Sequence, residues 1–186
     1  MLEIKTKKES LELIEKLKLN KLPEIYLRTF NKQKIESFLK EYDALYYAVR
    51  SKSVVGAKIF NFKVKKEDVM DYVKDLTDFS INVSSFGFSK YQLCTGEVKL
   101  NKDLSISICV SNNPEFSARD AGLMPDFNFV STLEDVRVKN IKGLKEVVDY
   151  IFKNELFGVI VEFASFSIKL GTRNEKVVIF ELRTAY

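Results

Sequence analysis

The stretch FGVIVEFASFSI at residues 157–168, followed by KVVIFELRT at residues 176–184, decides the predicted fold. Both segments are rich in β-branched and aromatic residues, which favour strands, and the polar segment at 170–175 separates them as a hairpin turn would. An apolar stripe with helical spacing precedes them, at Leu144, Val147, Val148, Ile151 and Phe152. We therefore predict an amphipathic helix over about 142–153 that packs on an antiparallel sheet containing both closing strands.

The rest of the chain predicts shorter elements of both kinds. Helical spacing occurs over about 7–19, after Asn31 and over 65–76, whereas strand-like segments occur at 24–30, 45–50, 57–64, 81–85, 92–100 and 104–110. Neither an internal repeat nor a Pro/Gly/Ser-rich linker divides them. The sequence therefore predicts a single α+β domain over residues 1–186, with about four helices on a largely antiparallel or mixed sheet.

Composition excludes several classes of partner and compartment. The chain has 186 residues, and its 30 Lys+Arg against 26 Asp+Glu give a net charge of +4, a small excess for a dedicated nucleic-acid binder. The N-terminal segment MLEIKTKKES lacks the apolar core of a signal peptide, and no apolar run approaches the roughly 20 residues that span a bilayer. We therefore expect a cytoplasmic protein with reduced thiols and no membrane partner.

The absence of histidine restricts the chemistry. Without histidine, and with only Cys94 and Cys109 as thiols, the chain cannot supply the Cys/His clusters of zinc, copper or haem sites. Nucleophiles activated by histidine are excluded for the same reason, so an acid or base must be Asp, Glu, Lys or Tyr. Hard cations bound by carboxylates are still allowed.

Charged residues within the closing strands are the first candidates for a site. Side chains two residues apart share a face of a strand, so Glu181 and Arg183 are predicted on the face of Ile179, and Glu162 on the face of Ala164. Both faces of the last strand are largely apolar, which is typical of a central strand. A buried acid there would pair with an arginine, lie on a wet face of an edge strand, or bind a ligand.

Arginine is scarce, and its positions are informative. Only six of the 30 basic residues are arginines, and three of the six, Arg28, Arg50 and Arg183, lie in or at the end of apolar strands. A planar guanidinium suits a phosphate or a carboxylate. These strand arginines are therefore candidate anion ligands.

A long segment without periodicity, SNNPEFSARDAGLMPD at 111–126, holds two of the three prolines. Loops of this length in compact domains are usually functional or mobile. Arg119 and Asp120 within it are either part of a ligand-binding loop or adjacent opposite charges in a solvated turn.

Two groups of residues resemble a known family. The segment YYAVRSKSVVG at 46–56 resembles the AVRSS-type segment in the nucleotide-binding domain of phosphoenolpyruvate synthases and pyruvate phosphate dikinases, which are relatives of the ATP-grasp enzymes. The segments VEFA at 161–164 and IFELRT at 179–184 resemble that domain's late pair of strands. The resemblance implies an ATP-grasp-like fold and binding of ATP with Mg²⁺.

The same resemblance implies a role for four residues. Arg50 and Arg183 match arginines that contact nucleotide phosphates in the family, and Glu162 and Glu181 match the acid and the glutamine that hold magnesium. Glu181 thus replaces the family's glutamine. The resemblance places all four residues in one pocket.

Three functions from different classes follow. The first is an ATP-grasp-like protein that binds a nucleotide or another phosphate-bearing small molecule: a phosphotransferase, a ligase, or a shortened relative without activity. The second is a non-catalytic protein-binding module. The third is a single-stranded nucleic-acid binder, suggested by FGFSKY at 86–91, where lysine and aromatic residues are interleaved.

Overall fold

A computed structural model describes residues 4, 7–54, 57–116 and 123–184. The chain divides into two compact units, which we call the small unit (Leu22–Ser89) and the large unit (Met1–Lys21 with Lys90–Tyr186). Each unit contains one sheet in which all paired strands are antiparallel. The predicted α+β class is therefore confirmed, although the strands form two sheets. Folding of both units as a single domain stays a prediction.

The described residues contain five α-helices and nine strands. In chain order they are α1 (Lys7–Lys16), β1 (Glu24–Leu27), α2 (Lys32–Glu41), β2 (Tyr46–Val54), β3 (Ala57–Lys65), α3 (Val69–Val73), β4 (Phe79–Val83), β5 (Gln92–Leu100), β6 (Ser105–Ser111), β7 (Phe127–Thr132), α4 (Val136–Lys139), α5 (Leu144–Lys153), β8 (Ile160–Leu170) and β9 (Glu175–Arg183). Two 3-10 segments, Lys66–Asp68 and Ser85–Tyr91, complete the set. None of the helices in the described residues is long and apolar enough to cross a membrane.

The small unit has the strand order β1–β4–β2–β3. Its longer helix, α2, begins after Asn31, whose side chain accepts a hydrogen bond from the backbone N–H of Lys34 at 3.0 Å. The helix buries Ile35, Phe38 and Leu39. Their i, i+3 and i+4 spacing places these three apolar residues on one face of the helix.

The large unit has the strand order β7–β6–β5–β8–β9. Helix α5 packs on β5, β8 and β9, and Leu144, Val147 and Ile151 are fully buried in the hydrophobic core between helix and sheet. The predicted helix over about 142–153 and its packing on the closing strands are confirmed. The one-turn helix α4 and the short strand β7 are not predicted, and α4 is the fifth helix, beyond the four that the sequence predicts.

Strand β9 lies at an edge of the large sheet, so the prediction of a central strand is wrong. Its outer edge is covered by the N-terminal segment. The backbone N–H of Ile179 donates to the Asn20 carbonyl at 2.8 Å, and the N–H of Leu182 donates to Ser10 Oγ at 2.7 Å. These bonds pair backbone N–H groups at the outer edge of β9. The strand can therefore be apolar on both faces without exposing a row of unpaired backbone groups that could pair with another chain.

Candidate functional site

The closing hairpin brings two acidic residues into direct register. Glu162 of β8 lies opposite Glu181 of β9 in the antiparallel ladder. Side chains at directly opposed positions share a face, with Cβ atoms about 4.5–5.5 Å apart. The two residues are therefore neighbours on one side of the sheet.

An irregularity in β9 produces this arrangement. The ladder pairs Glu162 with Glu181 but the next residue, Phe163, with Ile179, so Phe180 is an extra residue in β9, as in a β-bulge. At this point the alternation of β9 side chains between the two faces of the sheet shifts by one residue. Ile179 packs in the core with Phe163, whereas Glu181 lies on the opposite face. The prediction that Glu181 shares the face of Ile179 is therefore wrong.

The bulge also moves the residues that follow it. Leu182 joins the hydrophobic core, and Arg183 lies with Glu181 on the face away from the core. Counting by twos along the sequence cannot detect an inserted residue, because a shift of one position exchanges the two faces.

A third acid, Glu97 of β5, continues the row. Glu97 lies opposite Glu162, so Glu97, Glu162 and Glu181 occupy neighbouring strands on what we call the carboxylate face. Glu97 and Glu181 are buried, and Glu162 is half-buried. Sequence reasoning missed Glu97. The available signal was the alternation of Thr95, Glu97 and Lys99 within a predicted strand.

Two basic residues lie in the next row of the carboxylate face. Arg183 is in register with Ile160 of β8, and Ile160 is in register with Lys99 of β5. Arg183 forms an ion pair with Glu97 between the guanidinium Nη2 and carboxylate Oε1 atoms. The two side chains are only 15% and 3% exposed, so this pair is almost fully removed from water.

The charges on this face suit a small cation beside an anion. Three carboxylates and two basic side chains leave one net negative charge. Within the described part of the chain, no group of three or more acidic or thiol side chains is arranged to hold a metal ion. Glu162 and Glu181 form a neighbouring pair of carboxylates, and carboxylate oxygens are the protein ligands that hard cations prefer.

The remaining predicted site residues belong to other segments of the chain. Arg50 belongs to β2 of the small unit, in register with Phe60 of β3 and Ser80 of β4, and its side chain is exposed. That Arg50 joins Arg183 and the two acids in one pocket stays a prediction. Arg119 and Asp120 lie outside the described residues.

The described ends of the 111–126 segment are tied together by Asp126. Its carboxylate accepts hydrogen bonds from the backbone N–H of Asn112 at 2.6 Å and from Ser111 Oγ at 2.8 Å. These bonds stabilise the charged form and lower the pKa of Asp126. The first and last residues of this segment are therefore held close together in the large unit.

The aromatic residues behind the nucleic-acid alternative are partly used in packing. Phe86 is half-buried and makes edge-on ring contacts with Tyr46 and Phe62, at centroid distances of 5.2 and 6.2 Å. The Lys63 ammonium lies 4.3 Å from the centre of the Phe86 ring. This ring is therefore already in contact with a cation of the small unit itself.

The two thiols are expected to differ sharply in reactivity. Cys94 is fully buried, and burial raises the pKa of its thiol to about 12, whereas Cys109 is half-buried and its pKa is raised by burial to a smaller extent. The thiolate is the reactive form. At pH 8 a thiol reagent should therefore label Cys109 slowly and leave Cys94 unmodified until the protein unfolds.

Mass spectrometry of the protein after reaction with iodoacetamide measures this difference. The control is Cys109→Ser, which should show almost no labelling in the native state and one label in urea. Rapid native labelling of Cys109→Ser would contradict the buried position of Cys94.

The fold is similar to that of ATP-grasp enzymes. The macrocyclase MdnC of Microcystis aeruginosa MRC, in its crystal structure with precursor peptide MdnA, matches 97% of this chain over 53% of its own length, with 12% sequence identity and a TM-score of 0.53. The D-alanine–D-alanine ligase of Coxiella burnetii matches with 11% identity and a TM-score of 0.43, covering 96% of this chain and 47% of the ligase.

Phosphoribosylglycinamide synthetase from Anaerococcus prevotii matches 96% of this chain and 42% of its own, with 16% identity and a TM-score of 0.43. The chain thus spans about half the length of these solved structures. No family model matches the chain, and no curated protein matches its sequence. The match to MdnC, the one with a TM-score above 0.5 among these three, shows an ATP-grasp-like α+β fold, whereas the resemblance to phosphoenolpyruvate synthases stays a prediction.

Proposed function

We propose that this protein binds a nucleotide together with Mg²⁺ at the carboxylate face. The observation that carries the proposal is the direct register of Glu162 and Glu181 on β8 and β9. The resemblance to the nucleotide-binding domain of phosphoenolpyruvate synthases assigns magnesium to these same two positions. The ATP-grasp-like fold supports the proposal independently of that resemblance.

The residues present fit a magnesium ion. Mg²⁺ is usually held by one or two carboxylates, with water and substrate phosphates completing an octahedron of oxygen ligands. Glu162 and Glu181 supply two carboxylates at adjacent positions, and Glu162 is partly accessible to solvent. A magnesium ion held by Glu162 and Glu181 would neutralise negative charge on the nucleotide phosphates.

The basic residues would bind the phosphates. Arg183 lies on the same face as the two acids, and a guanidinium has five N–H donors, so it can contact Glu97 and an anion at the same time. Arg50, exposed on β2, is the second proposed phosphate ligand. Arg119 and Asp120 are proposed only as further ligand contacts from the 111–126 segment.

For the reaction we propose only a broad class. The solved structures named above are a macrocyclase, a ligase and a synthetase, and this chain would use a bound nucleotide for a ligase or phosphotransferase reaction, or bind it without turnover. We also propose a cytoplasmic location, where nucleotides and Mg²⁺ are abundant.

A thermal-shift screen tests the proposal. ATP, ADP and GTP are each added with and without Mg²⁺, and a ligand at 100 times its dissociation constant stabilises the folded state by about 2.7 kcal/mol. We expect a shift that requires Mg²⁺ and is largely lost in Glu181→Gln. A metal-ligand role predicts unchanged or slightly higher metal-free stability in this variant, because one of two neighbouring carboxylates loses its charge, whereas a purely structural pairing of Glu181 with an arginine predicts a loss of about 3–5 kcal/mol.

The matched control is Glu155→Gln, which makes the same change at an exposed position of the large unit and should retain the full shift. Absence of any shift at millimolar Mg²⁺-nucleotide would contradict the proposal and favour a protein-binding module. A shift with short single-stranded DNA or RNA that disappears at high salt would favour the nucleic-acid alternative.

A further inference from the structure

Strand β7 forms one edge of the large sheet. Among the described strands it pairs only with β6, so its other side ends the sheet. Natural proteins usually protect such an edge with a charged residue, a proline or a bulge, because an unprotected edge pairs with another strand. The six residues of β7, FNFVST at 127–132, include neither a charged residue nor proline, and their ladder with β6 has no register shift. This edge therefore has the properties of one that pairs.

The pairing with β6 shows which backbone groups of β7 face outward. One position beyond the ladder, the N–H of Leu133 donates to the Leu104 carbonyl at 3.3 Å. Hydrogen-bonded and non-bonded pairs alternate along an antiparallel ladder, so Asn128, Val130 and Thr132 direct their N–H and C=O groups away from β6. The side chains of these three residues are also exposed. Three residues of β7 can thus bond to a further strand.

Exposed apolar side chains are concentrated around this strand. Eleven large apolar residues are exposed in the described part of the chain, and four of them lie within 123–136: Leu123, Met124, Val130 and Val136. Val130 is 71% exposed and lies in the middle, with Met124 and Val136 six positions before and after it. Apolar surface collected at one place marks a surface that is covered by a partner.

The residues around Val130 are arranged symmetrically in the sequence. In DFNFVSTLE at 126–134, the second, third and fourth residues from Val130 are polar, apolar and acidic in both directions. The two acids already have partners, because Asp126 accepts two hydrogen bonds within the large unit and Glu134 pairs with Lys139 at 2.8 Å. Such a segment matches a second copy of itself in antiparallel orientation, which is the arrangement that a two-fold axis produces.

We propose, independently of the proposed function, that this protein forms a symmetric dimer in which the β7 strands of two copies pair antiparallel, with Val130 opposite Val130. This register places Asn128 opposite Thr132 of the second copy, so the outward-facing residues form three pairs with two hydrogen bonds each. Opposed side chains share a face, so both hydrophobic cores lie on the same side of one continuous sheet. The two-fold axis closes the assembly at two copies.

Sedimentation equilibrium of the full chain tests the dimer. The wild type is expected at twice the monomer mass of 21.5 kDa. Val130→Lys places two like charges opposite each other at the axis, so it should weaken dimerisation by about tenfold or more. Leu45→Lys, the matched control, makes a similar change at a 74% exposed position of the small unit and should dimerise like the wild type.

Disulfide trapping in a Cys109→Ser background tests the register. Val130→Cys places two thiols at opposed positions with Cα atoms about 5.5 Å apart, a separation that a disulfide can bridge, so mild oxidation should give a covalent dimer. Asn128→Cys is the control on the same strand. Its two copies would be offset by four residues, about 13 Å, and should not cross-link. Adding Thr132→Cys to Asn128→Cys should restore the cross-link.

Three results would overturn the proposal. The first is a wild type that is monomeric up to about 1 mM, a concentration at which even weak pairing is populated. The second is a dimer that Val130→Lys leaves intact, since another surface would then hold it together. The third is cross-linking of Asn128→Cys as readily as Val130→Cys, which means another register or none. If Val130→Lys does not fold, the disulfide experiment decides by itself.

Discussion

Arg183→Gln is expected to lower the free energy of unfolding by about 3–5 kcal/mol in metal-free buffer, because it removes one partner of a buried ion pair. The carboxylate left behind, Glu97, is 3% exposed and lies in register with a second carboxylate, Glu162. It would lose its counter-charge without gaining contact with water. Urea unfolding in the presence of a chelator, followed by two spectroscopic probes, measures the change.

Lys99→Gln is the matched control for this experiment. Lys99 lies in the same row of the same face and is half-buried, as Arg183 is, so the substitution removes the same charge from a residue outside the Glu97–Arg183 pair. We expect a loss below about 1 kcal/mol, which is typical of a cation that is not part of a buried pair. Equal losses in the two variants would mean that net charge rather than the Glu97–Arg183 pair sets the stability.

Asn20→Ala is expected to destabilise the large unit by about 3 kcal/mol, because it leaves several backbone groups of the closing hairpin without partners. The fully buried Asn20 side chain donates to the carbonyls of Leu170 and Val177 at 2.9 and 2.7 Å and accepts from the N–H of Arg173 at 2.8 Å. It thus holds both strands and the turn. Alanine can make none of these bonds.

The close packing of the neighbouring turn leaves the backbone little freedom to rearrange after Asn20→Ala. Gly171 has a φ of +86°, and a Cβ there would lie 2.5 Å from Asn20 Oδ1, so the turn backbone is packed directly against the asparagine. Asn128→Ala, at an exposed position of β7, is the control and should change the stability by less than about 0.5 kcal/mol. A comparably small loss in Asn20→Ala would contradict the anchoring role.

Local patterns were sufficient to predict several elements of the fold. The apolar spacing around Ile151 predicted α5, Asn31 predicted the start of α2, and the two closing strands were found at their correct places. Each of these features depends on residues within a few positions of one another. Side-chain periodicity and capping are therefore visible in the sequence itself.

Part of the candidate site could also be predicted. Charged residues are costly within apolar strands, and this cost identifies Glu162, Glu181 and Arg183 as candidate site residues. Glu97 was missed, since its importance comes from its register with Glu162 and its ion pair with Arg183, a residue 86 positions away in the sequence. Nothing near Glu97 in the sequence indicates either partner.

The sequence by itself determined the α+β class, the closing hairpin with its packing helix, and the acids and arginine that the hairpin carries. Only the tertiary structure decided that β9 is an edge strand covered by residues near Asn20, that the bulge at Phe180 turns Glu181 toward Glu162, and that Arg183 pairs with Glu97. The physical reason is that strand order, register and bulges are fixed by hydrogen bonds and packing between distant segments, whereas periodicity reports only neighbours in the chain.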